Sequence, residues 1–115
     1  GNAVQITCIA VSKDSEWFVT GSNDNTLLVF YINETEKKMI YEGHNGEVLS
    51  VDITNDNRYI VSASYDCTMR VWDITENNKQ VYQFDGNEAH IKYIRICCNN
   101  RFIICGSYDH RIRIW

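Results

Sequence analysis

The 115-residue chain contains no proline. Its turns cannot use the fixed φ of a pyrrolidine ring, so they fall to asparagine, which clusters between the apolar runs and tolerates left-handed turn conformations. Nowhere do about 18 apolar residues follow one another, the length that crosses a bilayer as a helix, and no signal peptide opens the sequence. No sustained helical period runs through it, which excludes an α-helical bundle. The five cysteines, Cys8, Cys67, Cys97, Cys98 and Cys105, include no C-x-x-C pair. Several lie inside apolar runs, so the expectation is reduced, buried thiols in a soluble intracellular protein, cytoplasmic or nuclear.

Charge is unevenly spread. Residues 1–42 hold three basic against six acidic side chains, 43–85 three against seven, and 86–115 five against two. An acidic surface disfavours nonspecific nucleic-acid binding, and only the last stretch is suited to an anionic partner.

What the chain does have is short apolar runs of period two. They predict strands at Ile6–Val11, Glu16–Gly21, Thr26–Ile32, Lys38–Tyr41, Val48–Ile53, Arg58–Ser62, Thr68–Trp72, Gln80–Phe84, Ile91–Cys97, Arg101–Cys105 and Arg111–Trp115. Polar turn clusters separate them: 13–15, 33–36, 55–57, 76–78 and 98–100. The reading is all-β, an antiparallel meander of four strands per repeat.

The repeat itself is explicit. Thr20-Gly21-Ser22-Asn23-Asp24, Ser62-Ala63-Ser64-Tyr65-Asp66 and Cys105-Gly106-Ser107-Tyr108-Asp109 are one phrase said three times, each followed by an apolar run ending at Phe30, Trp72 and Trp115. The openings Gly1-Asn2, Gly43-His44 and Gly86-Asn87 divide the chain into repeats of about 1–42, 43–85 and 86–115. A period of roughly 40 to 45 residues marks a propeller blade. The chain resembles the WD-repeat (WD40) family, and Trp72-Asp73 is the dipeptide of the name.

That resemblance implies a WD40-type β-propeller segment of just under three four-stranded blades. Family rings close with about 4 to 8 blades, so the expected neighbours are the remaining blades of a longer parent chain. It also implies a buried hydrogen-bond chain through Asp66, His44, Ser62 and Trp72. The other repeats depart from that set, with Asn2 for histidine and Phe30 for tryptophan in the first, and Asn87 and Cys105 in the third. His44, Ser62 and Asp66 also have the composition of a nucleophile–base–acid set. However, no G-x-S-x-G elbow surrounds Ser62, and the structural role is expected.

Zinc needs four converging ligands. His90, His110, Cys97, Cys98 and Cys105 lack the paired spacing, so no metal or other cofactor is expected. The resemblance places partner-binding positions around the channel mouth at Gln5, Thr7 and Asn23, at Glu47, Leu49 and Tyr65, and at His90, Lys92 and Tyr108. The function it implies is a non-catalytic scaffold binding proteins or peptides. The rival expectation is a nucleic-acid-binding propeller using Lys92, Arg95, Arg101, Arg111 and Arg113, with Tyr108 stacking a base.

Overall fold

The computed structural model describes residues 4–75, 79–85, 90–97, 99, 101–107 and 112–114, with backbone alone at 34–38, 79 and 113. Gly1, Asn2, Gly86, Asn87, Cys98, Tyr108, Asp109, His110, Arg111 and Trp115 lie outside the described residues.

Eleven strands and no helix occur among them: β1 (Ile6–Val11), β2 (Trp17–Ser22), β3 (Leu27–Tyr31), β4 (Glu34–Tyr41), β5 (Val48–Ile53), β6 (Tyr59–Ser64), β7 (Met69–Asp73), β8 (Lys79–Phe84), β9 (Ile91–Cys97), β10 (Phe102–Ser107) and β11 (Ile112–Ile114). They form three antiparallel sheets, β1-β2-β3-β4, β5-β6-β7-β8 and β9-β10-β11, each a simple meander. The innermost strands β1, β5 and β9 lie against one another in succession. Overall extents of 41 × 40 × 19 Å describe a flat arc one strand thick, since six residues of strand span about 20 Å. The all-β blade architecture is as expected.

The turns are built by one device. Asp14, Asp24, Asp56 and Asp66 each accept the amide of the residue two positions on, and the residue between has φ of 59°, 75°, 59° and 72° (Ser15, Asn25, Asn57, Cys67). Asparagine fills two of these left-handed positions, which it tolerates at least cost. The structure corrects one turn. Residues 33–36 were expected as loop, yet β4 begins at Glu34, which pairs with Tyr31. A register shift between Phe30 and Tyr31 absorbs the extra residues, so a charged run becomes an edge strand.

Sheet faces fuse into two cores. Trp17, Val19, Leu27, Val29 and Tyr41 of the first sheet meet Val48, Val51, Ile53, Ile60 and Trp72 of the second. Val61, Ala63 and Met69 of the second meet Ile91, Ile94 and Cys105 of the third. The outermost faces stay apolar and exposed, with Ile9 and Val11 on β1 and Ile104, Ile112 and Ile114 on the third sheet. Expected cysteine burial needs correcting. Among the described thiols only Cys105 is buried, while Cys8, Cys67 and Cys97 are half-exposed because they sit at a sheet seam, a turn and a strand end.

Candidate functional site

The second sheet closes on a polar chain. His44 Nδ1 lies 2.9 Å from Asp66 Oδ2 and its Nε2 2.7 Å from Ser62 Oγ. The Trp72 indole donates to the same Ser62 oxygen at 2.9 Å. A carboxylate only accepts, so Nδ1–H donates to Asp66, Nε2 accepts the serine proton, and Ser62 Oγ accepts from Trp72. Each donor thus meets an acceptor, as burial requires.

Asp66 also accepts Asn45 N–H at 2.9 Å, and the Thr68 amide and hydroxyl at 2.9 and 2.6 Å. Burial opposes its ionisation, but the hydrogen bonds from His44, Thr68 and Asn45 outweigh burial and hold the carboxyl well below the usual range. Gly43 makes the approach possible: its φ is +157°, and a Cβ there would stand 2.9 Å from Arg70 Nη1 and 3.1 Å from the Trp72 ring. Ser62 is wholly buried. The set has the distances of a catalytic triad, but its hydroxyl faces the inside of a sheet seam, where a substrate has no approach.

Sequence spacing alone did not show one member of this cluster. Arg70, also buried, lies 3.7 Å from Asp66 and donates to Thr68 Oγ1 and Gln80 Oε1 at 3.3 and 3.0 Å. The matching residue is Leu28 in the first repeat and Arg113 in the third, so repetition gives only a partial signal for it.

The first sheet shows what a missing member does. Thr20 occupies the place of Ser62, and its hydroxyl is buried without a partner among the described residues. Phe30, where Trp72 would be, stacks on Phe18 at 5.2 Å and offers no N–H. Thr20→Val should therefore raise stability by about 1 kcal/mol, because an unpaired buried hydroxyl is removed at nearly constant shape. An increased urea midpoint would register it; a lowered midpoint would mean that the hydroxyl has a partner.

At the strand ends around the inner strands, backbone bonds fix the residues expected at the mouth in the same way in two sheets. Asn23 N–H donates to Gln5 O at 3.0 Å, and Tyr65 N–H to Glu47 O at 2.9 Å. Gln5, Thr7, Glu47, Tyr65 and Lys92 are exposed, while Asn23, Leu49 and His90 are half-buried. Thr7 and Asn23 also hold the structure together: Thr7 Oγ1 donates to Val48 O of the next sheet, and Asn23 Oδ1 accepts Gln5 N–H at 2.9 Å. Tyr65 and His90, from different sheets, stack with ring centroids 3.5 Å apart and planes 13° apart. His90 Nδ1 also meets Tyr65 O and lies 3.5 Å from Cys67 Sγ. This seam joins residues 25 apart on neighbouring sheets and had no periodic signature in the sequence.

The basic residues whose side chains are described do not converge. Lys92 is at the start of β9, Arg95 is midway along it, and Arg101 follows its far end, a strand length of about 20 Å. Side-chain positions for Arg111 and Arg113 are not described. His90 and Cys97 likewise occupy opposite ends of β9, and no three His, Cys, Asp or Glu among the described residues could share a metal ion.

Comparison with known proteins completes the description. The solved structure titled "Structure of U3-55K" superposes on the whole chain with a TM-score of 0.90 at 19% identity, and the chain covers 37% of it. That likeness concerns the fold. A curated relative, the pre-mRNA-splicing factor PRP46 of Candida glabrata, is 37% identical over 51 residues, 44% of this chain and 12% of its own length. The chain thus spans a minor part of both. A profile of the "WD domain, G-beta repeat" matches residues 1–30, 35–73 and 78–115, the last two segments starting at the fourth strand of the preceding sheet. With three consecutive matches over most of its length, this chain belongs to the WD40 family.

Proposed function

We propose that the chain is part of a longer WD-repeat propeller that acts as a non-catalytic scaffold and binds partner proteins or peptides at the channel mouth. The observation that carries this reading is the Tyr65–His90 stack, an exposed aromatic held rigidly across a sheet seam at the mouth. Tyrosine offers large apolar area with a hydroxyl and few rotatable bonds, which suits it to an interface. Gln5, Thr7, Asn23, Glu47, Leu49, His90, Lys92 and Tyr108 complete the proposed surface. The apolar outer faces of the first and third sheets support further blades packed on each side. The splicing-factor relative supports a nuclear place within a multiprotein complex.

Tyr65→Ala in the full-length parent tests the reading by titration calorimetry against a captured partner. Tyr65 is 50% exposed, so truncation leaves no core cavity and the melting temperature should hardly move. Binding should weaken by about thirtyfold or more, the loss of roughly 2 kcal/mol typical of a central interface aromatic. Lys92→Glu should mainly slow association, since rim charges steer encounter. Undiminished affinity in Tyr65→Ala would move the binding surface elsewhere.

A further inference from the structure

The two ends of the strands differ in charge. At the mouth end, carrying the β2–β3, β4–β5 and β6–β7 connections, the exposed charged side chains described are Asp24, Glu42, Glu47 and Asp85 against Lys92 alone. Asp66 is there too, but Arg70 and His44 already face it. At the opposite end, Lys13, Arg58 and Arg101 balance Asp14, Glu16 and Asp56. Among the described exposed side chains, acidity is therefore concentrated at the end that also holds the half-exposed Tyr65 ring. Lys92, the exception, has its ammonium 5.6 Å from the Tyr93 ring centroid.

From this juxtaposition we infer that the mouth takes a cationic ligand: an arginine-bearing linear segment of a partner protein. The inference rests on the mouth being the binding surface and specifies its chemistry. An arginine guanidinium is planar, stacks on aromatic faces and pairs with carboxylates in a fixed fork, so one side chain can use both kinds of group. Tyr65 suits this because the His90 stack and the Tyr65–Glu47 backbone bond fix its position before a ligand arrives. Glu47, whose backbone carbonyl on the neighbouring β4–β5 connection accepts the Tyr65 amide, supplies the carboxylate. A polyanion such as single-stranded RNA meets repulsion at this end.

The test uses the full-length protein and three labelled Gly/Ser peptides, bearing three arginines, three citrullines or three glutamates, read by fluorescence polarisation near physiological salt. Citrulline keeps the shape of arginine and removes its charge. The arginine peptide should bind about tenfold or more tighter than the citrulline peptide, a difference of roughly 1.4 kcal/mol. The glutamate peptide should not bind. Tyr65→Ala and Glu47→Gln should each weaken the arginine peptide severalfold, while Tyr65→Phe, which keeps the ring, should not. Thermal melts establish that all three variants are folded.

Equal binding of arginine and citrulline peptides, both lost in Tyr65→Ala, would overturn the cationic ligand and leave the binding surface standing. Arginine binding indifferent to Tyr65→Ala and Glu47→Gln would overturn the inference as nonspecific attraction. If a captured partner also ignores Tyr65→Ala, the surface itself is wrong. Displacement of the arginine peptide by an oligouridine at this site would likewise overturn the inference, in favour of RNA.

Discussion

Trp72→Ala should lower the unfolding free energy by about 3–5 kcal/mol, the usual range for a large aromatic removed from a core. The side chain is 1% exposed, stands edge-on to Tyr41 at 5.6 Å, and ends in the indole bond to Ser62. Its removal opens a cavity between two sheets and deprives the polar chain of its last donor. Trp72→Phe separates these effects. It keeps most of the ring and should cost about 1 kcal/mol for the lost hydrogen bond, plus a smaller cavity term. The urea midpoint should fall with little change in m-value. A midpoint unmoved by Trp72→Ala would mean that the seam between the first two sheets contributes little.

Asp66→Asn should be nearly as damaging, at about 2–3 kcal/mol, although the side chain hardly changes shape. Oδ2 accepts from both His44 and the Asn45 amide, and Oδ1 accepts twice from Thr68. An amide must turn an NH2 toward one of these pairs, which sets donor against donor. The same bonds predict a pH dependence. Asp66 is more acidic folded than unfolded, so its stabilisation is complete above the ordinary carboxylate range. It is lost progressively as the pH falls below about 5 toward the folded value. Asp24 and Asp56 are shifted the same way by serine and threonine hydroxyls, so acid weakens the turns together. In Asp66→Asn the acid limb of the stability curve should be shallower. An unchanged limb would mean that the carboxylate is not the group being protonated.

The fold was legible because two signals agreed. Alternating apolar residues located all eleven strands, and the spacing of Asp24, Asp66 and Asp109 showed them to be repeats. The start of β4 was missed because residues 34–38 are all polar and four of the five are charged, and a polar edge strand has the composition of a turn. His44, Ser62, Asp66 and Trp72 were expected because the WD-repeat resemblance implies that chain, and one repeat contains the full set. The Thr20 hydroxyl, without a partner among the described residues, follows from the same comparison, since Phe30 offers no donor. What the sequence could not disclose were contacts between repeats. The Tyr65–His90 stack and the Thr7–Val48 bond depend on how one sheet is laid against the next, and periodicity carries no information about that.

The central claim is a division of labour: the Asp66–His44–Ser62–Trp72 chain maintains the blade, and the mouth recognises partners. Ser62→Ala in the full-length protein tests it most directly, with thermal melting and partner titration on the same sample, the titration well below the melt. The account predicts a lowered melting temperature and an unchanged partner affinity. An unchanged melting temperature with lost binding, or loss of a hydrolytic turnover present in the parent, would contradict it.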